Sequence, residues 1–446
     1  MTRRKFQYKR RVLLKIKRKH TWRTIRSRRK QKLRRGGGLS KKAQHGYHVK
    51  ESAIYRKYKH MLGNMKTYYI KVPQFFCFMK DPKGVNDFFE NLKKSIRREP
   101  RNIEIDHSET EIIGLAPSYL FDKIIMQELA YWAKHHIKIN FKGTVSKKSR
   151  KVNNFLLVFG VLNLLGITAK KFSLALVDWD YADKYYIVHY KGSKLYPDAA
   201  QFACVGLVKY FNQCLKHNGK EIDITTQADL IAKIGEIIGN AEEHCGNDSN
   251  EWVALGSYDK EDHVCSFAII NNGKTIFENL SDPSSTAVTV LQKVEKVILS
   301  HKSILQKTFG PEHEEPIWNV LALQEGISSK RALDGRGSSR GLGMMDVLSF
   351  IQDVKAGENG ANICLISGRS LISIDYEYPI FEKEIRGMAE KRKYIIFNKE
   401  QDLHKPADSK KVTYLNNKFS GTLFTGSFKI DGKYLRKVTN GESNNN

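Results

Sequence analysis

Between residues 67 and 220, short apolar runs alternate with longer stretches in which apolar positions recur every three or four residues. The short runs predict strands at Tyr68–Val72, Asn102–Asp106 and Ile137–Phe141. The longer stretches predict helices at Gly84–Arg97, Pro117–His135 and Asn153–Leu165, and Tyr185–Tyr190 reads as an edge strand. Strands and helices in alternation argue an α/β layer, with helices covering a sheet.

From about residue 198 the pattern changes. Two helices (198–216 and 226–245) precede a hairpin of Trp252–Tyr258 and His263–Ile270, joined by the charged turn Asp259 to Asp262. Helical periodicity continues to about 325, a stretch rich in Gly and Ser covers 326–343, and a helix is expected at Met344–Val354. Strands are expected at Asn362–Ile366 and Leu371–Tyr376, with a last strand or hairpin over Lys418–Ile430. Helices followed by a hairpin and further strands argue an α+β layer. The expected organisation is an arm over 1–60, an α/β domain over 61–197, a second domain over 198–432 and a polar tail over 433–446.

Charge sets the arm apart. The formal net charge is +29, and residues 1–50 carry 21 Lys or Arg and no acid. That leaves 55 basic against 47 acidic residues in the other 396, so the globular part is only mildly basic. Like charges at such density repel, and little packed structure is expected there without a partner. The arm also holds Phe6, Tyr8, Trp22 and Tyr47, which could stack on bases, so nucleic acid is an expected partner of residues 1–50. A solvated basic tail or a localising tract is the plainer alternative. Six cysteines lie scattered without C-x-x-C spacing, which argues against both a zinc site and a disulfide framework. The most apolar run, Phe155–Ile167, is too short to span a bilayer. A cytoplasmic protein with no membrane span is expected.

Four segments carry candidate chemistry. In EIIGNAEEH, residues 236–244, Glu236, Asn240 and His244 recur every fourth residue and share one side of a helix. Carboxylate and amide oxygens one turn apart suit a water and a Mg²⁺ ion. Thr226 with Asp229 offers a start signal for this helix and Gly246 a stop. Gly235 and Gly239 each cost roughly 1 kcal/mol relative to Ala inside a helix, so a close neighbour is expected there. Taken alone, the segment is equally an ordinary amphipathic helix with a solvated face. In FAIINNGKTI, residues 267–276, a buried strand runs into a polar turn at Asn271 and Gly273, where an amide could meet a base and Gly lets it approach the backbone. In GRGSSRGLGMMDV, residues 335–347, a Gly/Ser loop feeds a helix N-terminus suited to phosphate, with Arg340 adding a charged contact. In FSGTL, residues 419–423, the Thr422 hydroxyl could reach the same base.

In this order and spacing the four segments resemble the signature boxes of the GHKL superfamily of gyrase, heat-shock-chaperone, histidine-kinase and MutL ATPases, over roughly residues 198–430. The form ExxxNAxxH looks closest to the anti-sigma-factor serine kinases. The resemblance implies a Bergerat-type α/β sandwich that binds ATP and Mg²⁺. It makes Glu236 the general base, Asn240 the Mg²⁺ ligand and His244 a neighbour on the cofactor side. It makes Asn271 and Gly273 the adenine site, with Thr422 supporting the base. Gly337, Ser339, Arg340, Gly341, Leu342 and Gly343 would form a phosphate-covering lid. The sequence departs from the family at two positions: its adenine-binding Asp is here Asn271, and the usual second Gly of that box is Thr275. The segment from Ile103 to Ser108, with the helix after it, resembles the STAS fold of anti-sigma-factor antagonists, although its phosphoacceptor turn is replaced by Gly114 to Pro117 with only Ser118 near.

The implied function is a Mg²⁺-dependent ATPase acting as a nucleotide-controlled switch for a protein or other macromolecular partner. Two alternatives stand beside it: a kinase of this type phosphorylating a protein in trans, and a nucleic-acid-binding protein whose ATP fold regulates without hydrolysis.

Overall fold

The computed structural model describes residues 53–430 apart from 97–98, 167–175, 179, 197, 247–250, 285, 287, 309–313, 326, 328–342, 356, 358–359 and 385–390. The chain divides into two compact units, 1–60 and 61–446. In the first, the described residues form helix α1 (Ala53–Tyr58).

The second unit begins with a parallel layer. Strands β1 (Thr67–Lys71), β3 (Asn102–Asp106) and β5 (Phe141–Thr144) pair in parallel in the order β1-β3-β5. Helices α2 (Pro82–Ile96) and α3 (Leu115–Lys134) make the crossovers. A short parallel pair, β2 (Phe75–Phe76) and β4 (Ile112–Ile113), sits apart from that sheet. The strand expected at Ile137–Phe141 begins only at its last residue, because pairing with β3 starts at Ile103 opposite Phe141. The apolar Ile137 and Ile139 are buried as chain leading into it. The single helix expected over Asn153–Leu165 is two, α4 (Arg150–Val158) and α5 (Val161–Leu164), broken where Gly160 turns to extended backbone.

The second layer is a five-stranded antiparallel sheet. Its members are β6 (Tyr185–Gly192), β7 (Trp252–Asp259), β8 (Val264–Asn271), β9 (Ala361–Ile374) and β12 (Val412–Lys429), in the order β6-β7-β8-β12-β9. A separate hairpin joins β10 (Phe381–Glu384) to β11 (Lys391–Tyr394). The two strands expected at 362–366 and 371–376 are one, carried through Gly368, whose φ of 62° is left-handed. Strand β6 is an edge strand, as its sequence reads, yet it pairs along its length with β7. The sheet therefore draws on residues either side of 198.

Helices α6 (Asp198–Lys216), α7 (Ile224–Glu243) and α11 (Gly343–Val354) pack with one face of this sheet into a single apolar core that includes Tyr210, Trp252, Tyr258, Phe267 and Phe424. Three further helices, α8 (Ile276–Leu280), α9 (Val288–Thr308) and α10 (Glu315–Leu323), form a smaller cluster around Trp318. Alternate residues of β7 point to the opposite face, and they are buried as well. Helix α3 packs on β7 and β8, and α2 reaches β12, where Asn86 Nδ2 donates to the Asn417 carbonyl at 2.8 Å. A strand buried on both faces explains the near-continuous apolar run of β7, which an antiparallel sheet with one wet face would not need. This second face is less dry than the first. A cavity of about 350 Å³ lies against it, lined by Cys77, Leu115, Lys151, Ser257, Ser266 and Thr425 among others. No described residue of the four segments that carry candidate chemistry lines it, whereas Gly114, from the turn before α3, does. The fold is thus mixed α and β. All six cysteines are buried and unpaired. Among the described residues no helix is long and apolar enough to cross a membrane.

Candidate functional site

Helix α7 starts two residues earlier than its sequence signal. Its N-cap is Asp223, whose carboxylate accepts from the Thr226 backbone N–H at 2.9 Å, so Thr226 and Asp229 lie inside the first turns. The helix ends where expected: His244 is the C-cap, and Gly246 takes a φ of 91°. Leu230, Ile234, Ile237, Ile238 and Ala241 face the core. Glu236 is half-buried and Asn240 exposed. Among the described residues the crowding expected beside the two helix glycines is absent: a Cβ on Gly235 would meet only Cys204 Sγ, at 3.7 Å, and one on Gly239 would find nothing within 4 Å.

The end of α7 is locked to the turn after β8. The Lys274 N–H donates to the His244 carbonyl at 3.0 Å, satisfying one of the oxygens left over at a helix C-terminus. Gly273 lies so near that a Cβ there would sit 1.7 Å from the same oxygen, so only Gly fits. On the next helix, Asn279 Nδ2 lies 2.7 Å from His244 Nε2 and 3.1 Å from its Nδ1, which holds the imidazole against α8. Thr275, where the family resemblance would place a second Gly, is the N-cap of α8. Its hydroxyl accepts from the Glu278 N–H at 3.1 Å, and the Glu278 carboxylate accepts from the Thr275 N–H at 2.9 Å. This capping box needs a hydroxyl and an ordinary φ, here −75°, which accounts for Thr at this position.

Three strands meet at the other side of the turn. Thr422 on β12 stands opposite Asn271 on β8 and Ser367 on β9. Asn271 is buried, and its Oδ1 accepts from the Thr422 N–H at 3.0 Å and from the Gly273 N–H at 3.4 Å. The hydroxyls of Thr422 and Ser367 lie 2.9 Å apart, and Ser367 Oγ accepts from the Ile276 N–H at 2.9 Å. Register shifts in β12 between Tyr414 and Phe419 and between Phe419 and Thr422 mark bulges beside this junction. A bulge bends a strand and re-aims its side chains. Gly421, with φ 93°, brings the backbone of β12 against that of Asn271, where a Cβ would sit 2.2 Å from the Asn271 carbonyl.

The folded chain therefore gathers His244, Asn271, Gly273 and Thr422, with Glu236 and Asn240 on the helix that ends at His244. Gly343 opens α11. Gly337, Ser339, Arg340, Gly341 and Leu342 lie outside the described residues. Ser367, Thr275 and Asn279 are the participants that sequence reasoning missed. The capping box was legible as T-x-x-E over 275–278, whereas nothing in the sequence marks Ser367 as a neighbour of Thr422.

Asn240 makes no side-chain hydrogen bond among the described residues, so its amide oxygen, a hard donor, is available to a cation such as Mg²⁺. No group of three or more His, Cys, Asp or Glu able to hold a metal occurs among the described residues. An ion with one protein oxygen would complete its shell from phosphate and water, which is the habit of Mg²⁺. The chain matches no protein-family model, no curated protein and no solved structure.

Proposed function

We propose that residues 198–430 form a nucleoside-triphosphate site of the GHKL type, in a Bergerat-like sandwich, with ATP and Mg²⁺ the ligands that the resemblance implies. The observation that carries this reading is the junction of Asn271 with Thr422. The two residues are 151 apart in sequence, yet a side-chain oxygen of one takes the backbone N–H of the other at 3.0 Å. The docking of Gly273 on the His244 carbonyl supports it further, because it ties the ExxxNAxxH helix to the base-binding turn.

In this reading Asn240 holds the cation and Glu236 takes a proton from the attacking water. When bound, Mg²⁺ offsets the charge of the phosphates. Asn271 and Thr422 hold the base, and Gly273 keeps the backbone close to it. The consequence is a slow switch whose nucleotide state alters contacts with a macromolecular partner. The STAS likeness of residues 61–197 has in its support the strand Asn102–Asp106 leading through a short connection to α3; Ser118, on that helix, is buried.

The test is binding and turnover of Mg²⁺–nucleoside triphosphates by the wild type, Glu236→Ala and Asn240→Ala. Binding by the wild type and Glu236→Ala, with turnover lost in both variants, is the expected result. Wild-type protein that binds no nucleotide overturns the reading.

A second reading, nucleic-acid binding by the arm, is favoured by the 21 basic residues and absence of acids in residues 1–50. Retention on RNA or DNA should fall steeply with salt and vanish on deleting 1–50. Retention that survives the deletion removes it.

A further inference from the structure

Asn271 ends β8 with 6% of its surface exposed. Both groups that reach its Oδ1, the Thr422 and Gly273 backbone amides, are donors and cannot accept. They fix the carboxamide in one orientation: oxygen toward the main chain, amino group away from it. That amino group makes no hydrogen bond among the described residues, and it is not one of the atoms sealed from solvent without a partner. A nearly buried carboxamide is thus satisfied on its acceptor side and open on its donor side. Such a donor is costly to leave unpaired and selects for a ligand that offers an acceptor.

We infer that the nucleotide site proposed above, on whose existence this inference rests, reads a 6-keto purine, guanine or hypoxanthine, in preference to adenine. Position 6 of adenine bears an amine, which donates; in guanine and hypoxanthine it bears an oxygen, which accepts. With its own oxygen committed to Thr422, Asn271 offers only N–H to the base. Against a 6-oxo group this closes a hydrogen bond. Against a 6-amino group it sets donor against donor. A carboxylate in the same place would read the opposite way, with one oxygen still taking the Thr422 N–H and the other free to accept from an amine. Asp and Asn have nearly the same shape, so their exchange tests this one feature with little disturbance of packing.

The experiment is equilibrium binding of the Mg²⁺ complexes of ATP, GTP and ITP to the full-length wild type and to Asn271→Asp. The wild type should bind GTP and ITP at least about ten-fold more tightly than ATP, the order expected for one buried donor left unpaired. GTP and ITP should agree within a few-fold, since the 2-amino group plays no part. Asn271→Asp should reverse the order in favour of ATP. Wild-type affinity for ATP equal to or above that for GTP and ITP overturns the inference and leaves the nucleotide site standing. An order unchanged in Asn271→Asp also overturns it, because the base is then read elsewhere. If that variant does not fold, the wild-type order alone decides. Wild-type protein that binds none of the three overturns the nucleotide site itself, and the inference with it.

Discussion

Asp106 and Asn271 occupy matching places in two different sheets. Each ends the middle strand, β3 of the three-stranded parallel sheet and β8 of the five-stranded antiparallel one, and each is buried. Asp106 is closed. Its carboxylate accepts from the hydroxyls of Tyr69 on β1 and Thr144 on β5 and from the Ser108 N–H, the last at 2.9 Å. Burial alone would raise its pKa, but the hydrogen bonds from Thr144, Tyr69 and Ser108 outweigh it and hold the carboxyl well below the usual carboxylate range. Asn271 is open: two main-chain amides take its oxygen, and its amino group has no partner among the described residues. A polar node with every bond made within the fold contributes stability. One with a bond left over is, on the proposal above, a place for a ligand.

The comparison breaks most directly at the turn. Gly273→Ala should destabilise the protein by about 3 kcal/mol or more, since a Cβ there collides with backbone rather than with a side chain that could move. Asp106→Ala should cost about 2 kcal/mol in denaturant unfolding by removing the charged acceptor of three hydrogen bonds, and should leave nucleotide affinity unchanged. A loss of affinity in Asp106→Ala at unchanged stability would make that node a site as well.

His107, next to Asp106, sharpens the comparison through pH. Complete burial pushes its imidazole down to about 4, against a smaller upward pull from Asp106, and neither ring nitrogen has a hydrogen-bond partner among the described residues. The folded pKa lies below the unfolded one, about 6.5, so between these values the unfolded chain binds the extra proton. Stability from this group is fully present above about pH 6.5 and is lost as pH falls toward 4, by at most about 1.4 kcal/mol per pH unit. In His107→Leu that part of the slope should disappear, as urea titrations at pH 7.5, 6 and 5 would read. The smallest effect belongs to Gly239→Ala. With open space around it, the added methyl should stabilise the free protein by about 1 kcal/mol through helix propensity. Destabilisation would mean that the space is filled in solution.

Much of the local structure was legible in particular residues. Asn102–Asp106 alternates cleanly and is a strand over that same range. Periodic apolar positions over 198–216 mark α6, and the charged turn from Asp259 to Asp262 sits between β7 and β8. The misses have physical causes. Asp223 caps α7 because its short carboxylate folds back on Thr226, a geometry available equally to the polar residues that follow it. Gly160 breaks an apolar run whose periodicity alone promised one helix. Gly368 keeps two apparent strands continuous by adopting a left-handed φ. In each case a single backbone conformation overrode the pattern of side chains.

Alone, the sequence determined most of the helices and longer strands, which of their faces are apolar, and that the polycation is confined to the arm. Those properties follow from neighbours a few residues away, where period and capping act. Only the tertiary structure decided that β6 joins the five-stranded sheet, that this sheet is buried on both faces, and that Ser367 and Thr422 stand beside Asn271. It also decided which end of the Asn271 carboxamide faces outward. That orientation depends on a backbone N–H from a strand far along the chain, and no local pattern encodes so distant a donor.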